Sequence, residues 1–344
     1  MSAIRSQQRE INERIKDFLE GLKSHDRIGL IFHDDLDGFA SARLFYEFLK
    51  KKNCENIHAG VLSIGKNNPF GLDGIKNAEK FIVLDLAPNL IQFELEKINK
   101  PVLYIDHHPN SENVIFGDNI IELRKDGYIP VSRTCYEILE EFVISLDWLA
   151  LAGVLFDRGD KYQENIAFIR QILIKNNLRL NDFNRDVVYS ITNFIIYFED
   201  NLIKAFDMFK AINIIKDLDK IKRYSEPIER EIERFVNLYE QKGELINGIH
   251  FFYFEPKFAV KSIVTSKISF DNPDEILIFA TPEENTIRLS ARCQSKKRDV
   301  AELLKKLTYG FEWSTAGGHA VSAGGVIMRK DLDRFKERLS RLKL

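Results

Sequence analysis

Three short apolar runs in this chain each lead into acids or histidines. Leu30-Ile31-Phe32 opens onto His33-Asp34-Asp35-Leu36-Asp37-Gly38, Phe81-Ile82-Val83-Leu84 onto Asp85, and Val102-Leu103-Tyr104-Ile105 onto Asp106-His107-His108. Each run has the length and composition of a β-strand, so each cluster stands at a strand's carboxyl end. Crowded carboxylates repel one another and are costly to desolvate. A cation is the simplest partner that stabilises them. The pattern therefore describes a divalent-metal site along one edge of a sheet.

The spacing refines this. In an extended loop, residues i and i+2 point the same way, so Asp35 and Asp37 reach one centre. Gly38 then frees the backbone to turn into a helix starting near Phe39. A helix cap needs one Asp, not three and a histidine. Asp85 alone reads as a turn or cap residue. At the equivalent end of a neighbouring strand it becomes a candidate bridging ligand, with one oxygen for each of two metals roughly 3.5–4 Å apart. His107 and His108, adjacent on an irregular turn, point in different directions. One can bind metal while the other faces substrate, and Asp106 can orient an imidazole. Between Leu151 and Asp160 apolar residues again run straight into an acid, which makes Asp157 a candidate last ligand and Asp160 the fallback. Oxygen donors with a minority of imidazoles suit Mn²⁺ or Mg²⁺ better than structural zinc. Such a pair activates water and neutralises a phosphoryl group, so the expected chemistry is phosphate-ester hydrolysis.

The elements around these clusters predict an α/β architecture. Strand-like runs at 28–32, 57–62, 81–84 and 101–105 alternate with helical periods at 39–52 and 89–99, the signature of a parallel sheet whose ligands gather at the strands' carboxyl ends. At the N-terminus Ile4, Ile11, Ile15, Phe18 and Leu19 form one helical stripe. From about Tyr162 to Gln241 helical stretches dominate, at 165–175, 187–198, 202–218 and 226–242. A second domain starts near Gly243, with strands expected at 249–254, 258–264, 275–280 and 286–293 and a helix at 300–307. The resulting division is 1–180 for a metal-binding catalytic domain, 181–242 for a helical connector and 243–344 for a smaller α/β domain that binds substrate.

Composition sets outer bounds. The 344 residues favour two domains. Lys and Arg number 50 against 52 Asp and Glu, a net charge of -2, which gives no evidence for a broad basic field and makes any nucleic-acid contact local. Three cysteines without paired spacing argue against a disulfide framework or zinc knuckle and for a reducing compartment. No secretory signal or membrane-spanning run is visible, so a soluble, cytoplasmic protein is expected.

Taken in order, these motifs resemble those of the DHH phosphoesterase superfamily, which is named for the triplet found here at Asp106-His107-His108. Asp35-Leu36-Asp37-Gly38 is similar to its first motif, Asp85 to the second and Asp157 to the fourth. Gly317-Gly318-His319-Ala320-Val321-Ser322-Ala323-Gly324-Gly325 is similar to the Gly-Gly-His motif of the DHH-associated C-terminal domain. The resemblance implies two Mn²⁺ ions, with Mg²⁺ as the alternative, held by Asp35, Asp37, Asp85, His107 and Asp157. It implies that His108 faces the scissile phosphate. His33 stands two residues before Asp35, as in archaeal RecJ-like nucleases, and is carried as a further ligand. Similar proteins have a Ser near the site at Ser132, which otherwise reads as the N-cap of a helix running to about Phe142. Arg288, Ser290 and Arg292 share one strand face, and related nucleases place an Arg here against the nucleic-acid backbone. Gly317, Gly318 and His319 are read as a concave turn whose N–H groups suit a phosphate.

The function implied is a RecJ-like exonuclease on single-stranded DNA or RNA, leaning 3′-to-5′ and releasing mononucleotides. The alternatives are an NrnA-type oligoribonuclease or pAp phosphatase, and a catalytically silent replication scaffold. Implied partners are single strands or short oligonucleotides and replication or repair proteins. An oligomer is compatible with this reading, and no membrane is involved.

Overall fold

The computed structural model describes residues 2–63, 68–110, 113–125 and 127–342, the side chains of residues 2–8 excepted. Ile4 of the N-terminal stripe therefore lies outside the described side chains. The chain divides into two compact units, 1–225 and 226–344.

In the first unit α1 (Ser2–Glu20) precedes β1 (Ile28–His33), α2 (Leu36–Lys51), β2 (Ile57–Leu62), the single turn α3 (Asp73–Lys76), β3 (Lys80–Leu84), α4 (Pro88–Glu96), β4 (Val102–Asp106) and β5 (Ile120–Arg124). The strands form a parallel sheet in the order β2-β1-β3-β4-β5. β3 and β4 are buried on both faces, which explains their unbroken apolar runs. Sheet order reverses between β1 and β3. That switch opens a crevice beyond the carboxyl ends of these two strands, where His33 and Asp85 stand.

Helices α5 (Val131–Val143), α6 (Asp147–Phe156), α7 (Gln163–Lys175), α8 (Leu180–Phe183), α9 (Tyr189–Tyr197) and α10 (Leu202–Phe209) follow, and α11 (Asp219–Lys242) contains the boundary between the units. The stretch expected as a connector contributes its first part to the core of this unit. Phe183, Phe194, Phe206 and Phe209 are buried in the same cluster as β1 and α2. Phe206 lies 4.6 Å from Phe32 and 5.9 Å from Phe39 between ring centroids.

Two expectations here are corrected. The run into Asp157 is not strand-like, because 147–156 is helix α6, buried almost all round. Complete burial removes the polar face that would have shown its helical period. β5, absent from the expected strands, completes the sheet.

The second unit has β6 (Glu244–Ile246), β7 (Ile249–Tyr253), α12 (Lys261–Asp271), β8 (Ile276–Glu283), β9 (Thr286–Arg292), α13 (Val300–Thr308), β10 (Thr315–His319), β11 (Ser322–Met328) and α14 (Leu332–Ser340). Its mixed sheet runs β10-β11-β9-β8-β7-β6. The strand expected at 258–264 is instead a loop entering α12. β-branched Ile263 and Val264 mimic a strand, but Val264, Thr265 and Ile268 are buried at helical spacing. The glycine-rich segment is not a concave turn. It is the antiparallel hairpin β10–β11, with Gly317 opposite Gly324 and His319 opposite Ser322.

Cys54, Cys135 and Cys293 are free and buried. Among the described residues no helix is long and apolar enough to cross a membrane.

Phe206 joins the later helices to the sheet of the first unit, so Phe206→Ala should lower stability by about 3–5 kcal/mol in a denaturant melt. A loss under about 1 kcal/mol would show that these helices do not share the core.

Candidate metal centre

The strand register places the acidic tips side by side. His33 ends β1, Asp85 follows β3 and Asp106 ends β4, on three adjacent parallel strands. Asp35 caps α2, its Oδ1 accepting from Gly38 N at 3.0 Å. A Cβ at Gly38 would overlap the His33 carbonyl, so glycine is required where the loop closes on β1. Asp85 adopts φ 61°, the left-handed region, directly after an extended strand. That conformation is uncommon for a non-glycine residue and turns its carboxylate into the crevice.

Asp37 is fully buried in the first turn of α2. Its Oδ2 accepts from Val131 N at 2.7 Å and its Oδ1 from Ser132 N at 3.0 Å. These are the first two N–H groups of α5, unpaired within their own helix and attractive to an anion. Ser132 is thus not the cap, a position held by Pro130. Its hydroxyl is buried and donates to the Ala150 carbonyl at 3.2 Å. A Cβ at Gly153 would overlap both Ser132 Oγ and Asp37 Oδ1. Gly153 escaped notice in the sequence, although a glycine inside an apolar helix is a signal of close approach.

The candidate ligands converge as three overlapping groups: His33–Asp35–Asp85, Asp37–His107–Asp157, and Asp85–His107–His108, with the donor atoms of each group within 4.8 Å of one another. His107 Nε2 is 3.4 Å from Asp85 Oδ1 and 3.3 Å from Asp157 Oδ2. His33 Nδ1 is 2.8 Å from Asp35 Oδ2 and 4.0 Å from Asp85 Oδ2. Asp157, at the end of α6, reaches the group from a helix rather than a strand. Asp34, not among the expected residues, lies 3.3 Å from His33 Nε2. His108 Nδ1 is engaged by Asp106 Oδ1 at 2.8 Å, and Asp106 Oδ2 accepts from His108 N at 3.1 Å.

Electrostatics shows what the cluster lacks. Burial raises Asp85 well above the ordinary carboxylate value, and Asp35, Asp37, Asp157 and Asp106 push it further. Burial likewise raises Asp157, with Asp37 and Asp35 adding to it. It raises Asp37 too, against the pull of His107 and Ser132. Burial alone would lower His33, but Asp35, Asp34 and Asp37 hold its proton up to about 9. Asp35 is drawn down to about 2 because His33 outweighs burial. Both Asp85 oxygens are buried with no hydrogen-bond partner. An unpaired buried carboxylate between two histidine–carboxylate groups fits a bridging ligand for hard divalent cations. His107 directs Nε2 into the group, while its Nδ1 finds no hydrogen-bond partner.

In the second unit β9 presents Arg288, Ser290 and Arg292 on one face, with Ile287, Leu289 and Ala291 in the core on the other. Arg288 is paired with Glu283. Arg292 donates to Ser290 Oγ, Ser266 Oγ and backbone carbonyls and has no carboxylate partner among the described residues. Lys261, which no sequence signal marked, joins them. Its Nζ donates to the Leu289 carbonyl at 3.1 Å, and burial together with Arg288 and Arg292 lowers it to about 8. Gly318 and His319 are exposed, Gly317 is half-buried, and Ser322 pairs with both His319 and Arg292 across the sheet.

Residues 251–343 match the DHHA1 domain model. Among solved structures, the manganese-bound exonuclease RecJ superposes with a TM-score of 0.69 at 13% identity, covering 96% of this chain and 93% of that one. The fold is similar to that of RecJ. RecJ of Thermus thermophilus in complex with Mn²⁺ superposes at 0.67 and 14% identity, covering 97% of this chain but 54% of that one. An exopolyphosphatase-related protein from Bacteroides fragilis superposes at 0.60 and 14% identity, covering 97% and 96%. No curated protein sequence matches the chain significantly.

This geometry carries two expectations. Gly153→Ala should displace Asp37 and weaken Mn²⁺ binding by about tenfold or more in calorimetric titration, with the fold retained. Unchanged affinity would detach Asp37 from the site. The second concerns pH. His33, Asp37, Asp85 and Asp157 bind protons more tightly folded than unfolded, so their stabilising contribution is lost as pH rises. Asp35 acts oppositely, and its contribution is lost only as pH falls towards about 2. Metal-free protein should therefore lose stability from the ordinary carboxylate value of 3.8 up to about 9. Because ligands bind deprotonated, the gain in melting temperature from Mn²⁺ should grow over the same span. A gain independent of pH would contradict the assignment.

Proposed function

We propose that the chain is a divalent-metal-dependent phosphodiesterase that removes mononucleotides from single-stranded DNA or RNA. The observation that carries this reading is Asp85, whose two orphaned oxygens stand between His33–Asp35 and His107–Asp157. Mn²⁺ or Mg²⁺ fits this donor set, and bound there supplies an acidified water and Lewis-acid neutralisation of a phosphoryl group.

The chain's own residues supply the rest. Asp37, fixed by two helix N–H groups, and Asp157 hold their carboxylates beside His107. Asp106 fixes the His108 ring through Nδ1, which leaves Nε2 available to face a phosphoryl oxygen as charge develops. His108 is 37% exposed, against 10% for His107, which suits the first to substrate and the second to metal. Arg288, Arg292 and His319 supply cationic and hydrogen-bonding contacts to a strand's phosphates, over the glycine hairpin of Gly317 and Gly318. In this reading residues 1–180 carry the chemistry, 181–242 connect, and 243–344 bind substrate. The likeness to the manganese-bound exonuclease RecJ over nearly the whole of one RecJ chain supports the exonuclease assignment. A 3′-to-5′ direction is carried as part of the proposal.

A second reading has a specific observation in its favour. The exopolyphosphatase-related structure covers both chains almost completely. An enzyme of short substrates, a dinucleotide or pAp, would use the same centre. A silent scaffold is disfavoured by the complete ligand set.

Incubation with Mn²⁺ and end-labelled 20-mers of DNA and RNA, beside a dinucleotide, separates these. Mononucleotide release from the long strands is expected, and Asp85→Ala should abolish it without unfolding the protein. Near-native turnover in that variant would remove the two-metal assignment. Arg292→Ala should raise KM for long strands more than it lowers kcat.

A further inference from the structure

Between α13 and the start of β10, the second unit exposes two large aromatic rings on one short loop. Tyr309 is 83% exposed and Trp313 82% exposed. Neither contributes to the core, which the intervening Phe311 joins instead. Trp313 has φ 55°, a left-handed conformation that is strained for a bulky residue. The loop is nonetheless tied down. Arg338 of α14 donates to the Leu307 and Tyr309 carbonyls, both at 2.7 Å, and Ser314 Oγ donates to the Thr308 and Phe311 carbonyls. Arg334 and Arg338 stack over Phe311. The rings are held outward on a braced loop.

Beside them lies a cleft of about 480 Å³ between α13 and α14, lined by Lys306, Arg334, Arg338 and Arg341. Among the described lining residues Glu337 alone is acidic, and it is already paired with Arg341 at 2.6 Å. On the loop itself Glu312 is paired with Lys330 at 2.9 Å. The local field is therefore strongly cationic on a chain whose net charge is -2. Exposed aromatic faces beside a cationic track are what unpaired bases on a phosphate backbone require: the rings stack and the cations follow the phosphates. A duplex buries its base faces, and an acidic peptide offers no flat rings.

We infer that Tyr309, Trp313 and the Lys306–Arg334–Arg341 cleft form a second binding surface for single-stranded nucleic acid, built from residues other than the metal ligands and Arg292. The choice of ligand rests on the single-strand reading above. This surface engages nucleotides that are not being cleaved, so it distinguishes long strands from dinucleotides.

The chain has two tryptophans, and Trp148 is buried at 2% exposure, so quenching by a ligand that stacks on the surface reports on Trp313. Full-length protein in EDTA, titrated with a 20-residue oligo-dT, should show quenching. Trp313→Phe should abolish the quench while anisotropy still detects binding. Trp313→Ala and Tyr309→Ala should each weaken the anisotropy-measured affinity about 5- to 100-fold. Replacing Lys306 or Arg341 by Ala should lower the slope of log affinity against log salt by about one. With Mn²⁺, Trp313→Ala should raise KM for the 20-mer and leave dinucleotide turnover unchanged. Binding without a quench, or equal quenching by an oligoglutamate peptide, would overturn the surface while leaving the catalytic reading intact. A quench with no hydrolysis of any strand would support the surface and overturn the catalytic reading.

Discussion

Mutual repulsion among buried carboxylates is the constraint around which the first unit is arranged. Asp35, Asp37, Asp85 and Asp157 act on one another and burial works against all four, and chiefly His33 keeps Asp35 from ending above the ordinary carboxylate value with the other three. Left alone, such a cluster opposes folding. The fold offsets part of the charge with His33 and with the N–H groups of α5, and leaves both Asp85 oxygens without a hydrogen-bond donor. The uncompensated remainder is what a divalent pair would supply, and it explains why so much neighbouring structure serves to hold these side chains still.

That support is mostly backbone. The switch in strand order makes the crevice, the left-handed turn at Asp85 aims its carboxylate, and Gly38 and Gly153 permit approaches that no side chain would allow. α5 contributes the N–H groups of its N-terminus. The apolar side chains have a different task. Phe32, Phe39, Phe206 and Phe209 pack the later helices to the sheet, so the strand tips rest on a rigid base.

Much of this was legible in the sequence, for identifiable reasons. β1, β3 and β4 announce themselves because buried parallel strands carry unbroken apolar runs, and their acids stand out against that background. The hairpin β10–β11 was misread because glycines that pack strands closely look like glycines that turn a chain. α6 was misread because complete burial erases amphipathic period. The roles of Val131 N–H and Lys261 are invisible in the sequence, since each depends on a neighbour far away in the chain, Asp37 for the first and Leu289 for the second, and the signal at Gly153 names no partner. Asp157 was found by its apolar approach, although the element delivering it is a helix.

The most direct test is anomalous diffraction at the manganese edge from Mn²⁺-soaked crystals. Two peaks should appear, each within coordinating distance of a different Asp85 oxygen, one towards His33 and Asp35 and the other towards His107 and Asp157. A single peak that leaves Asp85 untouched, or no peak among these residues, would contradict the account.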